Sequence, residues 1–213
     1  MTLSQGLLPA ILVLSMHMPH ADAAEAGGRV IRQGTVVRLD DGHSLAIERV
    51  ERHDDGRMSA RLALMPEPGR EWTATAEYAP GQWLVAGAQC YQVVRLEPSH
   101  ERERATVLLK GPSSDSPCVD AAASIPVFAG DGGTRIGASR IAVQALDAAD
   151  GSLEWIHWPA EFTLASAPPA QVRRQRIALG ATVEADGRGY RLARVHAAAQ
   201  DRPAFAEFEA AVR

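Results

Sequence analysis

The fold class predicted for this chain is all-β, and three observations carry the prediction. Large apolar residues stand two and then three apart in Leu45, Ile47 and Val50, and the same step returns in Tyr91, Val93 and Leu96, in Ile141, Val143 and Leu146, and in Tyr190, Leu192 and Val195. A glycine precedes each copy, and the first positions lie 46, 50 and 49 residues apart. Short alternating segments with turn signals between them run through the whole chain, and none keeps helical periodicity beyond about three turns. A fixed period points to repeated supersecondary units. The expectation is four three-stranded meander units of about 48 residues each, forming two small sandwich or barrel domains or one larger barrel.

The elements follow in order. An apolar run from Leu7 to Met16, followed by Ala21-Asp22-Ala23, predicts a secretory signal peptide over residues 1–23. A second small-residue site ends at Ala26, and no basic side chain precedes Leu7. The run is too short to span a bilayer, so no membrane span is expected after cleavage. A first β domain, 29–112, opens with Val36 to Leu39, turns at Asp40-Asp41-Gly42 and returns through Leu45 to Val50. Asp-Gly between apolar runs is a hairpin signal, because both residues tolerate positive φ. Ala60, Leu62 and Leu64 make the third strand, and the prolines at 66 and 68 end it. Glu71 to Pro80 reads as an extra strand or ordered connection. The second unit runs through Leu84 and Val85, Tyr91 to Leu96 and Ala105 to Leu109.

Small polar residues over 113–124 predict a linker. A second β domain, 125–213, repeats the plan with Ile125 to Phe128, Ile136 to Leu146 and Leu153 to Trp158. It continues through Ile177 to Ala185, Tyr190 to Val195 and Ala204 to Phe208. Arg173-Arg174-Gln175-Arg176 reads as a solvated edge just ahead of a strand. In an exported chain the two cysteines, Cys90 and Cys118, are expected to form a disulfide.

Composition excludes several function classes. A net charge of −4 implies no nucleic-acid surface, and 21 arginines against one lysine suit a GC-rich bacterial genome. The chain has no Walker loop, dinucleotide fingerprint or His-Glu-x-x-His, and Ser139 lacks the second glycine of a nucleophile elbow. Calcium loops need more oxygen ligands than Asp131, Asp150 or Asp186 bring with them. No catalytic residue, metal or cofactor is therefore assigned.

His53, His100 and His196 each fall in the loop after the spaced strand, where β scaffolds commonly place binding residues. Arginine and tryptophan are frequent interface anchors. The binding candidates are accordingly Arg52, His53, His100, Arg102, Trp155, His157 and Trp158. The expectation is a periplasmic or secreted, non-enzymatic binding protein of the bacterial envelope, of the inhibitor or immunity kind or an accessory subunit. Its partner would be a toxin, a hydrolase or another subunit of an envelope or secretion complex. The competing readings are an envelope glycan or peptide hydrolase using Glu154 and Glu161 beside the tryptophans, and a sugar-binding module on the same tryptophans.

Overall fold

A computed structural model describes residues 28–66, 72–101, 103–111, 124–130 and 133–211. Described residues up to 111 form β1 (Gly28–Arg32), β2 (Val36–Arg38), β3 (Ser44–Arg52), β4 (Met58–Met65), β5 (Trp72–Tyr78), β6 (Trp83–Ala86), β7 (Gln89–Glu97) and β8 (Thr106–Lys110). Those from 124 onward form β9 (Ile125–Phe128), β10 (Thr134–Ile136), β11 (Ser139–Asp147), β12 (Ser152–Pro159), β13 (Arg173–Ala178), β14 (Thr182–Ala185), β15 (Arg188–His196) and β16 (Phe205–Ala210). The only helical element among the described residues is a 3₁₀ turn, Pro169–Gln171. The protein is all-β, as the apolar spacing predicts. The predicted signal segment and Cys118 lie outside the described residues.

The four segments that carry the two-then-three spacing are the four nine-residue strands β3, β7, β11 and β15. Each pairs with its successor through a register shift, at Ile47/Arg49, Val93/Arg95, Gln144/Asp147 and Leu192/Arg194. That shift is the physical reason for the spacing. A bulge inserts one unpaired residue, so the next inward position comes three residues on instead of two. In β3 it brings Val50 back to the side of Leu45 and Ile47, and all three are buried. In β11 the bulge contains Ala145 at φ 45°.

Three antiparallel sheets result, with strand orders β1-β8-β7-β6, β13-β12-β11-β10-β5-β4-β3-β2 and β14-β15-β16-β9. Adding eight to each strand number of the first half reproduces the pairings of the second: β6-β7-β8-β1 becomes β14-β15-β16-β9, and β2-β3-β4-β5 becomes β10-β11-β12-β13. The eight-stranded sheet arises where β5 and β10 join, with Thr134 opposite Ala74 and Ile136 opposite Trp72. It therefore contains strands from both sides of the predicted 113–124 linker. One apolar cluster likewise takes Ile31, Leu45, Leu64 and Tyr91 from one side and Phe128, Trp155, Leu192 and Phe208 from the other.

Two local expectations are corrected. The third meander is not formed as expected, because its first strand, Ile125–Phe128, is β9 and pairs with β16, and Ile136 to Leu146, expected as one strand, is divided between the hairpin strands β10 and β11. The cluster Arg173 to Arg176 does not precede a strand but forms most of β13, at the edge of the large sheet. Four exposed polar residues conceal a strand from hydropathy, because only Ile177 of β13 is buried. The ladder to β12, from His157↔Arg173 to Ser152↔Ala178, makes it one.

Candidate functional site

The loop candidates lie where the chain leaves a nine-residue strand. Arg52 ends β3, exposed, and His53 follows it in a tight loop closed by His53 N–H to Arg57 O at 2.8 Å. His53 Nε2 lies 2.8 Å from Ser59 Oγ. Beside it is an open depression of about 540 Å³ lined by Arg57, Met58, Glu77, Tyr78 and Pro80. His100 is exposed and forms a small bridge with Glu103, while Arg102 is outside the described residues. His196 differs, because β15 continues through it and its ring stacks on Phe205 at 4.2 Å between centroids. The three loop histidines thus do not share a chemical site. Among the described residues no three His, Cys, Asp or Glu side chains are grouped to hold a metal.

The tryptophans are packing residues. Alternation along β12 sends Leu153, Trp155 and His157 to one face and Ile156 and Trp158 to the other. Trp158, 0% exposed, packs with Ala142, Ile156 and Ala167 under Phe162 and Leu164, and its Nε1–H donates to Phe162 O at 3.0 Å. Trp155, 4% exposed, stacks on the His157 ring with centroids 5.4 Å apart. Neither ring offers a face to a sugar, so the geometry does not favour the sugar-binding reading. Glu154 is 3.7 Å from Arg174, and Glu161 is exposed on the following turn.

Ser139 Oγ lies 2.9 Å from His157 Nε2, a pairing that resembles part of a nucleophile site. Its surroundings do not suit that chemistry. Ser139 is 7% exposed and accepts the Asp186 N–H at 3.1 Å, and His157 Nδ1 is buried without the carboxylate that would orient an imidazole base. Burial and the neighbouring Arg173 lower the His157 pKa, which favours a neutral ring. The pair ties β11 and β12 to the Asp186 turn.

Sequence reasoning missed the buried carboxylate of Glu207, 2% exposed between Ala206 and Phe208 in β16. It accepts Ser124 Oγ–H at 2.9 Å and meets His196 Nε2 at 2.6 Å, with Arg194 3.9 Å away. Burial pushes its pKa up, but the hydrogen bonds and positive neighbours outweigh burial and hold it below the ordinary carboxylate range. The signal was present: a lone glutamate interrupts the run Phe205 to Phe208. Both Ser124 and His196 contact the carboxylate, so the trio secures the start of β9 to β15 and β16 and offers no activated hydroxyl.

Two pairs of turns also meet closely. Gly87, in the β6–β7 turn, faces Asp41 and His43 of the β2–β3 turn, where Asp41 Oδ2 is 2.8 Å from His43 Nδ1. Gly137, in the β10–β11 turn, faces Asp186 of the β14–β15 turn, whose Oδ1 accepts the Ala138 N–H at 3.2 Å. Aspartate and glycine have exchanged sides between the two pairs. A glycine is needed opposite each carboxylate because a Cβ there would enter the carboxylate's space.

The remaining polar features lie on the large sheet. Arg49 meets Glu77 at 2.6 Å and Arg61 meets Glu48 at 2.9 Å, beside a cavity of about 290 Å³ that Thr75, Gly130 and Pro203 also line. Arg140 Nε is buried without a hydrogen-bond partner, and burial lowers that arginine's pKa. Cys90, fully buried in β7, is not a free thiol. No protein family, curated protein or solved structure compared with the chain matches it.

Proposed function

We propose that the chain is an exported binding protein of the bacterial cell envelope that holds another protein through its loops and strand edges. An inhibitor or immunity protein, or an accessory subunit of an envelope or secretion complex, would work in this way. The observation that carries the reading is the division of labour among the polar side chains. Groups suited to chemistry hold the fold together, with His43 on Asp41, His157 on Ser139 and His196 on Glu207. Arg52, His53 and His100 instead stand exposed at the ends of rigid strands. A scaffold of that kind presents loops without disturbing its core.

The test is capture of a stoichiometric partner from a periplasmic extract by the wild-type chain and by Arg52→Ala. If Arg52 is an anchor, its removal weakens the complex by more than about 1 kcal/mol with the fold intact. Unchanged affinity would remove Arg52 from the interface. Turnover of a glycan or peptide that vanishes in Glu154→Gln or Glu161→Gln would replace the binding reading with the hydrolase.

A further inference from the structure

Among the described residues six strands end the three sheets, and β13 is the longest of them, with six residues against five in β1, four in β6, β9 and β14, and three in β2. An end strand presents unpaired backbone N–H and C=O groups, a template for another strand. The chain itself shows how such an edge is used. By strand order β13 stands in the second half where β5 stands in the first, and the outer edge of β5 is occupied by β10, antiparallel over three residues. Among the described residues no strand pairs with the corresponding edge of β13.

We propose that the β13 edge receives an extended acidic segment of a partner protein as an added antiparallel strand. This rests on the binding-protein reading and gives it a surface and a partner chemistry. Arg174 and Arg176 lie on one face of β13 and Arg173 on the other, all exposed, so carboxylates at alternate positions of an incoming strand match Arg174 and Arg176 on their shared face. Arg173 has no ion pair among the described residues. Arg174 and Arg176 reach Glu154 at 3.7 Å and Asp150 at 3.3 Å, with side chains 49% and 70% exposed. Exposed pairs of this kind are worth about 0–1 kcal/mol and exchange readily for carboxylates on a partner. Leu179, 56% exposed just beyond the strand, adds an apolar contact.

The arginines also decide against the other occupant that the strand order suggests. A second copy would bring β2, the counterpart of β10, and β2 carries Arg38 and no carboxylate. Like charge therefore opposes head-to-tail growth of the sheet, while opposite charge selects an acidic strand; one feature rejects self and admits the partner. Main-chain hydrogen bonds would supply affinity and the arginines the specificity.

The probe is a ten-residue peptide of alternating Glu and Val, measured by fluorescence anisotropy against the full chain, with amide hydrogen exchange as a second readout. Binding is expected with new protection confined to residues 173–178, at least tenfold weaker in Arg174→Glu/Arg176→Glu. The Lys-for-Glu peptide, or one N-methylated on alternate backbone nitrogens, should not bind. Circular dichroism checks that the double variant folds. Binding indifferent to N-methylation or charge reversal, no binding at all, or self-association through β13 in place of peptide capture would overturn the proposal. A partner captured from extract with equal affinity by the double variant, but lost on Arg52→Ala, would sink the edge and leave the binding reading standing. Failure to capture any partner, with the peptide still bound at β13, would do the reverse.

Discussion

Gly137→Ala tests whether the meeting of the β10–β11 and β14–β15 turns is held by shape. Gly137 has φ 55°, where an L side chain costs about 1–2 kcal/mol. A Cβ at this position would overlap the carboxylate of Asp186, which is too short to swing aside while keeping its bond to the Ala138 N–H. Losing that bond costs about 1 kcal/mol more, so the total is about 2–3 kcal/mol. In an Asp186→Gly background the overlap and the bond are both already gone, and only the backbone cost of about 1–2 kcal/mol remains. The two substitutions should therefore couple by about 1 kcal/mol in a double-mutant cycle measured by urea unfolding. Equal destabilisation by Gly137→Ala in both backgrounds would refute the steric argument and leave a pure backbone effect.

Glu207→Gln should destabilise the fold near neutral pH and flatten its acid sensitivity. The folded pKa of Glu207 lies below its unfolded value, so its contribution is fully present above the ordinary carboxylate range and lost as pH falls through the folded value. His157, also lowered, acts with the same sign at milder acidity, and wild-type stability should fall on acidification through both ranges. Identical pH slopes for wild type and Glu207→Gln in urea unfolding would discard the Glu207 assignment. Thiol titration of unfolded, unreduced protein should find no free cysteine, and reduction should cost roughly 3–4 kcal/mol through the loop closed by Cys90 and Cys118. Two titratable thiols would exclude that pairing.

The sequence by itself determined the all-β class and the places of the long strands, since alternation and turn residues act over a few positions. It even registered the bulges, as a change of apolar spacing from two to three at Val50, Leu96, Leu146 and Val195. The last strand, Ala204 to Phe208, was legible from its place after the Tyr190 strand, although Phe205 and Phe208, three residues apart, also suit a helix face. The fate of individual polar and aromatic side chains was not legible. Trp155 and Trp158 pass from candidate platform to core because residues 160–172 and the neighbouring sheet cover them. His196 resembles His53 and His100 in its loop position, yet the buried carboxylate eleven residues later claims it. The joining of β5 to β10, which builds the large sheet and leaves β13 at its end, was decided only in three dimensions. Strand pairing depends on which backbone edges remain open once each local meander has closed, and hydropathy along a single strand carries no record of its neighbour.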